Sequence, residues 1–590
     1  MHSNLRSFIN TLKRERLLIE IETEVDPYLE LAEIHRRVIE SKGPALFFKN
    51  IRGSKFPVIT NLFGTRERVN LAIGLKPENV VQCAVKAFER FIPPKAKILW
   101  QERAWLLDLA KSGLRNVSAR KAPVLEVSEK NFDLRDLPVL TSWPEDGGSF
   151  ITLPLIYTEH PATSQHNLGM YRIQVHDKQR TGIHWQIHKG GGFHYFEAER
   201  LNRDLPMTLF LGGPPALIIA AIAPLPEMFP ELLFASFLMN DKISRVKVPE
   251  YPHPLIAEAE FAVCGSVPVG IRQPEGPFGD HYGYYSLKHD FPIFNVQALY
   301  HRQDAIYPAT VVGKPCQEDF FIGEYLQTLL APVFPIIMPG VKALWTYAET
   351  GFHSLAAAIV RESYSREAIA HAFRILGEGQ LTLTKFLIIT DVPVNLQNFS
   401  SLLEHVLSRF EPEHDLLIIT ETSADTLDYT GRRLNHGSKA IMLGLGNPKR
   451  ELPVQYKGLL PPGIKHIEAF CAGCLVVVGP GFADSSNFVF DVLKLTKTDP
   501  DFNEWPLIIL LDNLYDKLNQ TGFLWRVFTR FDPASDIYCS VKLVRNHRLY
   551  HGPIIIDARK KPGYPKELFP DEKTVKLVNE RWQEYRIPLS

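Results

Sequence analysis

The sequence predicts a mixed α/β and β fold: an α/β N-terminal domain, a β-rich central domain, and an α/β unit that occurs twice. Three observations carry this. The chain has 590 residues, well past the size at which one hydrophobic core stops growing, so roughly three to four domains are expected. Hydrophobic patterning changes from helix–strand alternation to short β-rich runs near residue 115. Near the C-terminus one segment recurs. The expected domains are 1–115, 116–340, 341–460 and 461–590, the last ending in a terminal helix.

The elements follow in order. Ser3 is placed to cap an amphipathic helix whose face is Leu5, Phe8, Ile9 and Leu12. Leu17 to Ile21 reads as a strand, and Tyr28 to Lys42 as a helix stopped by Gly43. In the central region, β-rich runs such as Val263–Ile271 and Phe294–Tyr300 alternate with Pro/Gly clusters, which predicts a barrel or sandwich with helical insertions. Lys385–Thr420 and Pro506–Val541 then align without a gap. Asp391 falls on Asp512, Arg409-Phe410 on Arg530-Phe531, Pro412 on Pro533 and Asp415 on Asp536. Each copy reads as apolar strand, Asp, helix, apolar strand, a βαβ pattern. Pro570–Tyr585 reads as a charged helix on the surface.

Composition narrows the function. Lys plus Arg and Asp plus Glu each number 66, so the formal net charge is zero and no basic excess points to nucleic acid or an anionic surface. Six cysteines, Cys83, Cys264, Cys316, Cys471, Cys474 and Cys539, cannot form a disulfide framework in a chain this long. The first fifteen residues lack an apolar signal region, and the apolar stretch Leu209–Leu225 is broken by Gly212-Gly-Pro-Pro215, so neither a signal peptide nor a membrane span is expected. A cytoplasmic protein with a small-molecule or protein partner is the expectation.

Several motifs read as structural. Cys471-Ala-Gly-Cys474 has no second CxxC and sits in an apolar run, so buried thiols are expected. Gly444-Leu-Gly446 and Gly479-Pro-Gly481 lack the third glycine of a dinucleotide fingerprint and read as turns. Two segments carry chemistry. In Asn167–Phe196, Met170–Val175 reads as a strand, His184 and His188 share a face whether their stretch is strand or helix, and Lys189-Gly-Gly-Gly192 offers backbone N–H groups beside a cation, suited to phosphate. In Pro274–Tyr285, Glu275 and Asp280 lie five apart on a loop shaped by two prolines and three glycines. Crowding of two carboxylates there is expected to raise one toward a general-acid pKa.

Together with Trp143-Pro-Glu-Asp-Gly-Gly148, Asn167–Arg172, His188-Lys-Gly190 and Asp304-Ala-Ile306, these segments resemble the UbiD family of reversible decarboxylases, which use prenylated FMN. The resemblance extends over most of the chain. It implies an N-terminal α/β domain, a central split β-barrel that binds the flavin, and a C-terminal α/β domain used in oligomerisation. It places a manganese or magnesium ion, which grips the flavin phosphate, on Asn167, His188 and Glu231, with a potassium ion nearby. Flavin contacts are implied for Met170, Tyr171, Arg172, His184, Trp185, Gln186, Lys189 and Gly190. The implied catalytic set is Glu275, Arg172 and Asp280. Arg172 takes the substrate carboxylate, Asp280 delivers the proton, and Glu275 holds Arg172.

The sequence departs from the family pattern in its length. A Gly-Ser-Lys segment whose lysine reaches the flavin phosphate is matched at Gly437-Ser-Lys439, but the second copy reads Gly552-Pro-Ile554. The long form resembles the branch that decarboxylates a dihydroxynaphthoate-type menaquinone precursor through futalosine. The other branch acts on 4-hydroxy-3-polyprenylbenzoate in ubiquinone synthesis, where a prenylated substrate implies membrane proximity. A flavin prenyltransferase as cofactor supplier and a homo-oligomer are the implied partners. A flavin reductase on the same barrel and a non-catalytic assembly protein are the rival readings. The first needs a nicotinamide fingerprint, and the second leaves the Asn–Arg–Glu–Glu–Asp spacing without a purpose.

Overall fold

A computed structural model of the chain describes residues 2–74, 81–82, 85, 111–186, 189–225, 229–513 and 518–588. The chain forms two compact units, Met1–Leu329 with Lys566–Ser590, and Leu330–Pro565.

In the first unit, helix α1 (Leu5–Arg14) buries the expected face Leu5, Phe8, Ile9 and Leu12. Its cap is Asn4 rather than Ser3: the Asn4 side chain accepts from the Ser7 amide and the Ser7 hydroxyl answers at the Asn4 backbone, closing a capping box. Strands β1 (Leu18–Ile21), β2 (Ala45–Phe48) and β3 (Val58–Thr60) build a small mixed sheet with helix α2 (Glu30–Glu40).

The central region folds around a ten-stranded sheet. Its strands are β4 (Phe150–Ile151), β5 (Leu155–Glu159), β6 (His166–Gly169), β7 (Ile173–Val175), β8 (Arg180–Ile183), β9 (Leu205–Leu211), β10 (Phe261–Val267), β11 (Arg272–Glu275) and β12 (His289–His301), with the short strand Val127–Glu129. The hydrogen-bonded order β4-β7-β8-β12-β10-β9-β5-β6 is an open path, not a closed barrel, and β11 and Val127–Glu129 both pair with β12. Strand β13 (Tyr307–Pro308) returns to pair with β3. Helices α3 (Gly190–Arg200), α4 (Ala216–Ile222) and α5 (Glu231–Met239) are inserted. One apolar core runs from Ile21 and Phe48 through Ile156 and Ile183 to Phe294, so the N-terminal and central segments share an interior.

Helix α6 (Glu318–Leu330) ends the central region. The stretch 318–337 is long and apolar enough to cross a membrane by length and composition, a test that core helices of soluble proteins also pass, although Glu318, Asp319 and Glu324 interrupt its apolar run. Its first residue is a buried carboxylate, Glu318, which accepts from the Asn61 and Phe63 amides.

The second unit holds the repeat. Copy one has strands β14 (Val341–Thr346), β15 (Leu355–Val360), β16 (Phe386–Thr390), β17 (Leu416–Ser423) and β18 (His436–Gly444), ordered β14-β15-β16-β18-β17. Copy two has β19 (His466–Cys471), β20 (Cys474–Val478), β21 (Leu507–Leu511), β22 (Ile537–Val544) and β23 (His547–Asp557), in the same order. The duplication extends to detail. Helices α7 (Phe399–Leu407) and α9 (Gln520–Phe528) are capped by Asn398 and Asn519, and the short helices α8 (Pro412–Asp415) and α10 (Pro533–Asp536) each open on proline. Cys471 and Cys474 face each other across the β19–β20 turn, buried and reduced, with burial pushing the Cys474 thiol well up.

The terminal helix α11 (Glu572–Arg581) does not stay with the second copy. It joins the first unit, packing on α2, with Val578 buried and the Tyr585 hydroxyl donating to Glu30 at 2.6 Å.

Candidate active site

The site is built where strand β6 ends and β7 begins. The expected strand Met170–Val175 is broken: Gly169 closes β6, Ile173 opens β7, and Met170-Tyr-Arg172 forms the corner between them. Arg172 is thereby turned toward the loop after β11. Its Nε and Nη2 each donate to Glu275 at 2.7 Å, a bidentate pair, and Nη1 donates to Asp280. Nη2 also reaches the Ser286 hydroxyl at 2.9 Å, and the Phe278 ring lies 4.9 Å beneath the guanidinium. The side chains of Arg172 and Glu275 are 8% and 0% exposed, so this charge network is desolvated.

The electrostatics correct one expectation. Neither acid is raised, because a guanidinium stands between them. Burial pushes Glu275 up, but the Arg172 charge and the His184 hydrogen bond outweigh it and hold the carboxyl at about 2. Burial likewise opposes ionisation of Asp280, and the His281 hydrogen bonds and Arg172 hold it well below the usual range. His281 gives Asp280 Oδ1 its amide at 2.7 Å and its Nδ1 at 2.6 Å.

This has a consequence for stability. A carboxyl lowered on folding from 4.5 to about 2 contributes stability that is complete above pH 4.5 and lost as pH falls toward 2. For Glu275 that contribution is on the order of 3 kcal/mol. Acid unfolding of Glu275→Gln followed by circular dichroism should show a shallower loss between pH 4.5 and 2 than wild type; superimposable curves would exclude this contribution.

The acid loop is braced from three sides. Asp146 Oδ1 accepts from the Gly279 amide at 2.8 Å, and its Oδ2 accepts from Ser142 and Trp143 at 3.0 and 2.9 Å. Gln174 takes the Gly276 amide at 2.9 Å and donates to Gly147 O at 2.8 Å. Gly147 must be glycine, since a Cβ there would sit 2.2 Å from Gly276 O. The third brace is the C-terminal segment. Tyr285 N donates to Lys566 O and Leu568 N to Gly283 O, and Lys314 pairs with Glu567.

A second group of residues lies along β6, α3 and α5. Asn167 is buried in β6 beside α5, whose first residue is Glu231. Glu231 accepts from the Leu168 amide at 3.1 Å, and burial pushes its carboxyl up to about 7. Asn167 Nδ2, His184 Nε2 and Trp185 Nε1 are buried with no hydrogen-bond partner among the described residues. Gly190 is pressed on Asn167: a Cβ would lie 2.1 Å from its Oδ1. The glycine run is not a loop but the first turn of α3, with Lys189 at its N-cap, and the Gly191 amide donates to the Tyr171 hydroxyl. A helix N-terminus beside a desolvated carboxylate and an orphaned amide is a cradle for an anion and a cation together.

Comparison with known proteins decides the family. The UbiD 3-octaprenyl-4-hydroxybenzoate carboxy-lyase Rift-related domain matches residues 115–315, its N-terminal domain 9–88, and its C-terminal domain 320–444. The chain belongs to the UbiD family. A protein of Chlamydia muridarum is 53% identical over 587 residues, covering 99% of both chains. A Chlamydia pneumoniae protein, named as a component of 4-hydroxybenzoate decarboxylase, is 50% identical over 585 residues, 99% of this chain and 98% of its own. Among solved structures, vanillic acid decarboxylase of Sedimentibacter hydroxybenzoicus in closed form has a TM-score of 0.68 at 25% identity, covering 78% of this chain and 96% of that one. The UbiD-class enzyme HmfF of Pelotomaculum thermopropionicum in complex with FMN has a TM-score of 0.62 at 23% identity, over 78% and 98% of the two chains.

In this UbiD carboxy-lyase the predicted site residues fall into three sets. Arg172, Glu275 and Asp280 form one bonded network, and His184 joins it, its Nδ1 lying 3.4 Å from Glu275. Asn167, Glu231, Tyr171, Trp185 and Gly190 gather along β6, α3 and α5, and Met170 and Gln186 flank them in sequence. His188 lies outside the described residues. Lys439 belongs to the second unit, where its ammonium donates to Thr384 O at 2.9 Å and Ser423 O at 3.0 Å, and burial lowers its pKa to about 8. Sequence reasoning missed Ser286, His281, Gln174 and Asp146 as parts of the site. Asp146 and His281 had a signal, the one inside Trp143-Pro-Glu-Asp-Gly-Gly148 and the other inside the Pro274–Tyr285 loop.

Proposed function

We propose that this UbiD carboxy-lyase removes carbon dioxide from a hydroxylated aromatic acid without net oxidation, using prenylated FMN. The observation that carries the reading is Arg172, a buried guanidinium presented by a strand corner and clasped by two acids. Asn167 and Glu231, with His188, would hold a Mn2+ or Mg2+ ion against the flavin phosphate, since oxygen donors and a single imidazole suit a hard cation. Tyr171, His184, Trp185, Gln186, Lys189 and Gly190 would line the flavin. When bound, prenylated FMN supplies the electron sink for carbon dioxide loss.

The chain's own residues do the rest. Arg172, its Nε and Nη2 held by Glu275, turns its Nη1 edge to the substrate carboxylate. A carboxylate arriving at Nη1 competes with Asp280 for that donor. Asp280, giving up its bond to Nη1 and placed beside the substrate carboxylate, rises in pKa, takes a proton from solvent water and delivers it to the substrate carbon. Glu275, doubly bonded to Arg172, keeps the guanidinium in place while Asp280 is released. His281, bonded to Asp280 Oδ1, holds the acid on the far side.

The ring we favour is that of a quinone precursor, either 4-hydroxy-3-polyprenylbenzoate or a dihydroxynaphthoate-type acid. Homo-oligomeric assembly and supply of the cofactor by a flavin prenyltransferase belong to the same proposal, as does the cytoplasm as its compartment. The test is to co-express the protein with a flavin prenyltransferase and measure carbon dioxide release. The panel holds both quinone precursors, 4-hydroxybenzoate and vanillate. Release from an aromatic acid with a bound-flavin spectrum is the expected result; a flavin-free protein inert on the whole panel would reject it.

Two further outcomes bear on the cofactor. Glu231→Ala should co-purify with little manganese and little flavin, because it removes an oxygen ligand from the cradle; unchanged metal content by elemental analysis would take Glu231 out of the site. If Lys439 contacts the flavin phosphate, Lys439→Ala should weaken flavin affinity roughly 10- to 100-fold, the scale of a charged hydrogen bond. Equal affinities in a titration would leave Lys439 a structural donor to Thr384 and Ser423.

A further inference from the structure

The two copies in the second unit meet through the same surface. Helix α8 of copy one packs on strand β23 of copy two, and its counterpart α10 packs on β18, the counterpart of β23. Helix α7 lies against β19, and α9 against the 348–350 turn of the equivalent hairpin in copy one. The polar contacts repeat the exchange. Ser438 of β18 donates its hydroxyl to Asp532 at 2.7 Å and accepts the Ala534 amide at 2.8 Å, while His551 of β23 pairs with Glu413 of α8. Ala472 in the copy-two hairpin gives its amide to Glu404 of α7 at 3.1 Å.

The centre of the contact is self-matched. Phe399 and Gln520 open the two equivalent helices, and they touch each other: the Phe399 amide donates to Gln520 Oε1 at 2.9 Å. The apolar cavity between the sheets is lined by equivalent positions from both sides, Phe386 with Leu507, Ile388 with Ile509, and Leu416 with Ile537. Contact of i with j matched by j with i, and of an axial position with its own counterpart, is the signature of an isologous two-fold interface.

We propose that copy two is a built-in partner. The second unit is a two-fold dimer of one α/β domain joined into a single chain, and the face through which copy one would pair with another molecule is occupied in cis. Two findings agree. The UbiD C-terminal domain matches copy one alone, at 320–444, and the vanillic acid decarboxylase match accounts for 96% of that chain but only 78% of this one. The long chain therefore does not self-associate through this face, and any oligomer it forms uses another.

Cutting the chain tests this without removing any part of it. Specific protease sites are inserted in the exposed loop at Leu459, which is 92% exposed, and in the exposed turn at Pro562–Gly563. The second cut is needed because Lys566–Ser590 belong to the first unit. After both cuts copy two should remain bound, and the particle should keep its uncut mass by light scattering. The same cuts are made in Gln520→Glu, which opposes a carboxylate to buried Glu349 at the axis, and in Phe523→Asp as a stronger disruption. There copy two should leave, and the remaining particle should double in mass as two uncovered faces pair. Loss of copy two from the cut wild type, or a remainder that keeps single mass after copy two departs, would overturn the proposal. Intact melting behaviour of the uncut variants distinguishes interface loss from misfolding, and copy two staying bound after both cuts in the folded variants would also overturn the proposal.

Discussion

Arg172→Ala is expected to bring decarboxylation down by more than about 100-fold and to lower stability at the same time. The activity loss follows from orientation: without the Nη1 donor and the guanidinium charge the substrate carboxylate is no longer held over the reacting centre, and small misplacements cost about 100-fold. The stability loss follows from what remains. Glu275, with a fully buried side chain, and Asp280 would face each other with no cation between them. Removing one partner of a buried ion pair typically costs about 3–5 kcal/mol. Arg172→Lys keeps the charge but not the fork, so it should recover part of the stability and little of the rate. Carbon dioxide release and thermal melting on the same preparations check both halves. Activity within about tenfold of wild type in Arg172→Ala would remove this residue from substrate binding.

Asp280→Asn separates proton delivery from carbon dioxide loss. The amide keeps the size and much of the hydrogen bonding but has no exchangeable carboxyl proton. General acid–base groups contribute about 100- to 10,000-fold, and turnover should fall within that range. Flavin and metal content should stay near wild type, because Asp280 bonds Arg172 and His281 and does not touch Asn167 or Glu231 in any described hydrogen bond. Exchange of the product ring hydrogen in deuterated water isolates the protonation step. Wild-type exchange in Asp280→Asn would transfer the role to Glu275.

Much of this architecture was legible because it is written in local patterns. The helix face Leu5–Leu12, the repeat and the buried CxxC all follow from spacing, and each is found in place. The family motifs pointed to Arg172, Glu275 and Asp280, which the fold brings into one bonded network. Its electrostatics were not legible, because the pKa of Glu275 and Asp280 depends on a residue about a hundred positions away being folded between them. Arg172 reaches them only because the strand breaks at Gly169, a corner that the apolar pattern Met170–Val175 conceals. The helical start at Gly190 was hidden for the opposite reason. Three glycines oppose helix formation, and tertiary contact with Asn167 and Trp185, where larger side chains would collide, imposes it.

The brace between the acid loop and Lys566–Leu568 places the completion of the site in time. Tyr285 and Gly283 bond to residues that follow them by roughly 280 positions. At about 5–20 residues per second, the ribosome has added Tyr285 roughly 15–60 s before it adds Leu568. Throughout that interval Arg172, β11 and Asp280 already exist in the nascent chain, and the loop lacks one of its three supports. The insertion of an entire second α/β copy lengthens the wait. A chaperone or a degrading protease that meets the growing polypeptide therefore meets an acid loop still short of one support, which residues translated roughly 280 positions later fasten into shape.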